Sequence, residues 1–182
     1  MIYTYPIIIQ HLFISPAHNY FGHPKGQPGG HPTLAVAEVA VRASQGLVGD
    51  RFFGKGERFD GHVTFFAWEV WQLLAAEYGL ASELVARLRR NVVTEGVNLN
   101  QLIGQEFVID EVRFRGAKHC APCHWMDTAV APGALKLLHG RGGLRAQALS
   151  DGQLRSGPAT LTTATPMDFT TLAAPLPTPK LP

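Results

Sequence analysis

Cysteine is scarce in this chain, with two among 182 residues, and so is charge. A disulfide framework of the kind that staples small secreted domains is therefore excluded as the main source of stability. Charged residues make up 16% of the sequence and the net charge is only +2, too weak and too mixed a balance for a nucleic-acid surface built on electrostatics. No run approaches the roughly 20 uninterrupted apolar residues of a membrane helix. The opening Met1-Ile2-Tyr3-Thr4-Tyr5-Pro6 lacks the basic flank of a secretory signal, and its apolar stretch soon meets Gln10 and His11. The expectation is a cytoplasmic chain with neither membrane nor nucleic acid as partner. In that reducing compartment a lone cysteine pair points to catalysis or metal binding rather than to a structural disulfide.

What is present is apolar substance and punctuation. Hydrophobic residues account for 46% of the sequence, enough at this length for one well-buried core and too little for two. The apolar run Ile7 to Ile14 predicts a buried strand, and His18 to Pro32, rich in Gly, Pro and His, predicts a loop. Thr33 to Val41 predicts a second strand. Gly46, Gly49, Gly54 and Gly56 then hinge a loop carrying Asp50, Arg51, Lys55 and Arg58. His62 to Phe66 is strand-like. Ala67 to Tyr78 sets Trp68, Trp71, Leu74 and Tyr78 at helical spacing, and Gly79 stops the helix.

Ser82 is placed to cap a short helix running to Arg89, with β-prone Asn91 to Thr94 after it. Gln105 to Arg115 predicts one long strand, or two meeting near Asp110. Leu135 to His139 predicts a helical turn. Leu144 to Leu149 and Pro158 to Thr163 read as strands, and Asp151-Gly152 between them as a hairpin turn that pairs them. Many short strands with few helices favour a mainly β fold, a closed or partly closed β-barrel with a few peripheral helices, over an alternating βαβ fold. Residues 1–173 form a single domain on this reading. The tail 174–182, with four prolines in nine residues, is expected to be extended or disordered.

Both cysteines sit in His119-Cys120-Ala121-Pro122-Cys123-His124, ahead of Arg141-Gly142-Gly143-Leu144-Arg145. The spelling matches a c-type haem attachment pattern, but haem attachment accompanies export, so no haem is expected. A thioredoxin-like dithiol belongs at a helix start within a βαβ unit, which this β-rich region does not offer. A structural zinc would draw on His119, His124 or His139 beside the thiols, yet the usual second ligand pair is missing. There remains one thiolate acting as nucleophile, sulfur carrier or ligand to a soft metal. Histidines 18, 23 and 31 match no metal-ligand spacing and read as loop residues, some of them at a pocket rim.

Five segments in this order resemble the MOSC family, named for the C-terminal domain of molybdenum cofactor sulfurase. They are Gly46-Leu47-Val48-Gly49-Asp50-Arg51, His62 to Phe66, Arg90-Asn91-Val92-Val93-Thr94-Glu95-Gly96, Cys120-Ala121-Pro122-Cys123 and Arg141 to Ala146. The resemblance spans about residues 33 to 162. It implies a short stand-alone member with a β-barrel, a functional cysteine and a molybdenum-pterin cofactor. The cysteine either ligates a molybdenum that reduces N-hydroxylated small molecules or carries sulfur to the molybdenum-pterin as a persulfide; a non-catalytic cofactor carrier is the third possibility. Electrons or sulfur come from a separate donor protein. Cys120 is the expected catalytic residue and metal ligand, with Cys123 as its resolving thiol or a buried packing residue and His119 as a catalytic neighbour. Arg141, Arg145, Arg90, Asn91, Asp50, Arg51 and Thr94 are the expected cofactor-binding residues. Arginine forks suit a pterin phosphate, and a soft thiolate suits a metal carried on dithiolene sulfurs.

Overall fold

The computed structural model describes residues 1–177. Strand β1 (Tyr3–Ile14) sets the architecture because it bonds to three partners along its 12 residues. Its first half, Tyr3 to Ile9, runs antiparallel to Gly157–Thr163, while its second half bonds to Leu34–Val36 and Val92–Glu95. A register shift between Ile9 and His11 bends the strand between these partners, as a bulge does. Pairing thus extends β1 back to Tyr3, before the apolar run that marked it.

In chain order the strands are β2 (Leu34–Val36), β3 (Glu38–Arg42), β4 (Gly46–Leu47), β5 (Val63–Ala67), β6 (Val92–Glu95), β7 (Glu106–Ile109), β8 (Val112–His119), β9 (Leu144–Ala148), β10 (Gly152–Arg155) and β11 (Gly157–Thr163). Seven of them, in the order β11, β7, β8, β9, β5, β6 and β1, form a barrel closed by the β1–β11 pairing, with β2 added beside β1. Closure leaves the barrel strands without a free edge. A second sheet holds β10, β3 and β4.

Inside the barrel Phe65, Phe107 and Phe114 form an aromatic centre, with ring centroids 5.4 to 5.8 Å apart, separations at which edge-to-face and offset contacts are favourable. β5 and β6 are parallel, so a crossover must join them. Helix α1 (Trp68–Tyr78) and a 3₁₀ segment (Ser82–Leu88) supply it. α1 buries Val70, Trp71 and Leu74 against the barrel and ends at Gly79 in the left-handed conformation, as its sequence predicts. Two short helices, α2 (Trp125–Ala129) and α3 (Ala134–Leu138), follow the cysteine loop. None of the described helices is long and apolar enough to cross a membrane.

Three local expectations are corrected. The stretch 33–41 is broken into β2 and β3, which join different sheets. Asp151-Gly152 does not pair β9 with β11: β9 lies between β8 and β5, and β10 leaves for β3. The Asp151 carboxylate instead accepts the Ala43 N–H at 2.8 Å, which anchors the chain where it crosses to the second sheet. Ser82 makes no side-chain cap. The described part of the tail, 174–177, has neither helix nor strand and is bonded to the domain, where Leu176 N–H donates to Gly140 O and Asn100 to Ala174 O; residues 178–182 lie outside the described residues. The 105–115 region does form two strands, turning at Asp110 with φ 52°.

His11 stacks on Phe13 and tilts against Trp68 at 5.4 and 5.5 Å, and burial holds its pKa below the ordinary 6.5. The unfolded chain therefore takes up this proton first, so the stability contributed by the neutral ring is complete above pH 6.5 and is lost as pH falls below it. Urea unfolding of wild type and His11→Phe between pH 7.5 and 5 is expected to show a smaller acid loss in the variant. An equal loss would remove His11 from the account.

Candidate functional site

Cys120 is placed by the end of β8. A register shift between Gly116 and Lys118 re-aims the strand, and the Cys120 N–H donates to Gly143 O at 2.8 Å. The chain beneath it is Gly142-Gly143, and no other residue pair fits there. A Cβ on Gly142 would lie 2.2 Å from Cys120 O; one on Gly143, whose φ is +98°, would lie 2.1 Å from Phe65 O. The Gly142 N–H donates to His119 Nε2 at 3.0 Å and Arg90 Nε donates to Gly142 O at 3.1 Å. His119 Nε2 is thus an acceptor, which fixes the neutral ring with its proton on Nδ1. Burial, then Arg90 and His139, hold its pKa below the ordinary value. His119 supports the glycine pair and does not line the cleft described next, so the structure does not give it the catalytic placement expected.

The buried Cys120 side chain, 4% exposed, meets an open cleft of about 420 Å³. Four guanidinium-bearing residues line it, namely Arg51, Arg89, Arg90 and Arg145, together with Cys123, which is exposed rather than packed away. The opposite wall comes from the 18–32 loop. That loop is cinched at its neck by Asn19, whose side chain bonds both N–H and C=O of His31 at 2.9 Å, and by Arg89, which donates to Ala17 O, His31 O and Thr33 Oγ1. Tyr20 on the loop stacks on Trp125 of α2 at 5.1 Å, so the loop and the cysteine segment close on each other. His18 lines the cleft edge-on to Phe52 at 5.3 Å; burial first, then Arg51, Lys55 and Arg89, hold its pKa below the ordinary value.

The cationic floor is built around one carboxylate. Asp50, 5% exposed, accepts from Ser15 N, Phe52 N and Arg51 Nη1 at 3.0 to 3.1 Å. Arg51 also donates to Arg89 O at 3.0 Å and lies over the Phe52 ring at 4.4 Å. Burial outweighs the Asp50 pairing and, with Arg89 and Arg90 nearby, lowers the Arg51 pKa to about 10; it stays protonated at neutral pH. Arg51, Arg89 and Arg90 each give donors to protein acceptors, whereas no acceptor among the described residues takes a hydrogen bond from the Arg145 guanidinium.

The other expected residues lie elsewhere. Arg141 turns to the C-terminal segment, donating to Ala173 O and Leu137 O at 2.8 and 3.1 Å, and does not line the cleft. Asn91, 1% exposed, is consumed in tying β5 to β1 through Thr64 and Phe13 O. Thr94 is buried with its Oγ1 unpartnered. Sequence reasoning passed over Phe52, Tyr20 and Trp125, which are aromatics in loops or at a helix start with no periodicity to mark them. Among the described residues no three His, Cys, Asp or Glu side chains gather to hold a metal, so a metal at Cys120 would bring most of its ligands with it.

The family model described as the MOSC domain matches residues 45–159. None of the curated proteins compared with the chain matches it. Among solved structures it is similar to the YuaD protein of Bacillus subtilis, with a TM-score of 0.68 at 16% identity over 91% of this chain and 100% of that one. It is also similar to YiiM of Escherichia coli, with a TM-score of 0.59 at 18% identity over 94% and 76% of the two chains. YiiM of Geobacillus stearothermophilus gives 0.57 at 18% over 85% and 74%. At these identities the likeness shows the fold.

Removing the Asp50 carboxylate leaves the buried Arg51 charge and two backbone N–H groups without their acceptor. Asp50→Ala is expected to destabilise the protein by about 3 to 5 kcal/mol in urea unfolding, while Glu38→Ala at the exposed Arg155 pair (3.3 Å) costs under about 1 kcal/mol. Equal, small losses would show that Asp50 does not organise the floor.

Proposed function

The chain belongs to the MOSC domain family, a family generally associated with molybdenum-cofactor binding, and on that premise we propose that it reduces N-hydroxylated compounds at a molybdenum ligated by Cys120. The observation that carries this reading is a single buried thiol facing a cleft walled by arginines and aromatics. The residues present fit the group: a soft thiolate suits a soft metal that arrives with its own dithiolene sulfurs, and guanidinium forks suit its phosphate. When bound, the molybdenum-pterin supplies a redox metal able to take the oxygen of an N–OH group.

Within this reading the chain's own residues hold, orient and exclude. Cys120 offers one ligand from a backbone fixed by Gly143 O. Arg90, whose Nη2 is left over after Gly142 O and Leu88 O take its other donors, offers a donor to the phosphate. The Tyr20–Trp125 stack and Phe52 keep bulk water from one side of the cleft. His18, the imidazole on the cleft wall, can relay a proton from solvent to the reacting N–OH group, taking one on one ring nitrogen as it gives one from the other. Electrons come from a separate donor protein. The two free thiols suit a reducing compartment such as the cytoplasm.

Sulfur transfer to the molybdenum-pterin is the second reading, and the exposure of Cys123 on the same cleft favours it. A persulfide carrier must meet a donor protein, which an exposed sulfur can do and a buried one cannot. The depth of Cys120 favours a permanent ligand instead.

Metal analysis of protein made in a host that overproduces the cofactor tests the proposal. Wild type and Cys123→Ser are expected to hold near-stoichiometric molybdenum and to reduce a hydroxamate or amidoxime with a chemical reductant. Cys120→Ser is expected to lose roughly tenfold or more of both, at least as much as removing a residue that only supports a ligand. Molybdenum retained without Cys120, or absent throughout, overturns the ligand assignment. Sulfuration of the molybdenum-pterin that is lost with Cys123→Ser but not with Cys120→Ser would favour sulfur transfer.

A further inference from the structure

A second hollow of about 60 Å³ adjoins the cleft at Cys120 and Arg145. It is made where the 50–61 loop, through Phe52, Phe59 and Gly61, folds over β5 and β9 beside Thr64 and Arg145. We propose that this recess is a binding site for a small, planar, singly charged oxyanion of the carboxylate or nitrate class, held by the Arg145 guanidinium and independent of any metal.

Charge is the first support. Arg51, Arg90 and Arg145 all line the recess, and the two carboxylates near it are already committed. Asp50 is bonded to Arg51 and two backbone N–H groups, and Asp60 pairs with Lys118 at 2.7 Å. Guanidiniums crowded this way repel one another, and a partly buried charge without a partner is costly. An anion relieves both. Arg145 is the donor left over: it sits on β9 opposite Thr64 and Lys118, and no acceptor among the described residues uses its fork. The Thr64 hydroxyl is spent on Asn91 at 2.8 Å.

Size and shape narrow the class. A recess of this volume holds a few waters at most, each with a liquid share of about 30 Å³, so a pterin or nucleotide is excluded from it. Phe52 and Phe59, with centroids 5.5 Å apart, give it flat aromatic walls that suit a small planar acceptor, to which the Arg145 fork can bond bidentately. Cys120 lines the same recess, so an anion seated there also shields its thiol from reagents.

The test uses metal-free protein, so it stands or falls apart from the cofactor reading. Melting temperature is followed as sodium formate or nitrate replaces sodium gluconate at constant ionic strength, with sulfate as the tetrahedral comparison. Formate and nitrate are expected to stabilise saturably, by about 3 to 6 °C at ten times the Kd, and to slow alkylation of Cys120 in a Cys123→Ser background. Arg145→Gln removes the saturable response and, having no protein partner to lose, keeps its baseline melting temperature. Arg115→Gln, an exposed arginine paired with Glu106, leaves the response intact. Gly61→Ala, whose new Cβ would lie 3.2 Å from Phe59 Cζ and so push that ring in the recess wall, weakens it severalfold. Equal melting temperatures in formate and gluconate, a response that survives Arg145→Gln, or sulfate stabilising more than formate would each overturn the proposal.

Discussion

Two backbone segments approach so closely at Cys120 that side chains are excluded between them, and the site is built on that contact. Gly142 lies under the Cys120 carbonyl, Gly143 under that of Phe65, and the Cys120 N–H is bonded to Gly143 O. The contact joins the end of β8 to the start of β9, so the barrel's own hydrogen-bond ladder positions the thiol. His119 and Arg90 complete it by satisfying the N–H and C=O of Gly142, groups that would otherwise be buried without partners. A cysteine held this way has little freedom to move, and rigid first contacts are what a ligand or nucleophile needs.

Around that fixed point the electrostatics are lopsided by construction. One carboxylate, Asp50, binds the loop that carries Arg51 and Phe52, yet four arginines reach the cleft. Their arrangement differs in consequence. Arg89 is a clamp on the neck of the 18–32 loop, Arg51 is a strut between Asp50 and Arg89 O, and Arg90 braces Gly142. Only Arg145 arrives with its fork uncommitted among the described residues. The same residue type therefore serves scaffold and ligand, and hydrogen-bond accounting separates the two.

That distinction explains what could and could not be read from the chain. The barrel was legible, because many short strands separated by turn residues have few other solutions. Which strands close it was not, since the partners Tyr3 to Ile9 and Gly157 to Thr163 lie at opposite ends of the sequence and nothing local links them. The Asp151-Gly152 signal was misleading: a turn pair reads the same whether the chain folds back on itself or leaves for another sheet. Of the residues marked by the order of their segments, the structure brings Cys120, Arg51, Arg90 and Arg145 to one cleft, with Asp50 bonded behind Arg51. Arg141 was misplaced for a physical reason. An arginine before two glycines looks alike whether the glycines free their amides for an anion or let two backbones touch, and here they do the latter. Asn91 and Thr94 fell to the same ambiguity between a polar residue facing a ligand and one buried in the sheet.

The most direct test of this construction is the alkylation rate of Cys120, followed by intact mass in a Cys123→Ser background, with and without Gly142→Ala. If the glycine contact holds the thiol in place, the added methyl displaces the Cys120 backbone and raises the rate by about tenfold or more, as access and environment govern thiol reactivity, while the barrel stays folded. An unchanged rate at an unchanged melting temperature would contradict the account.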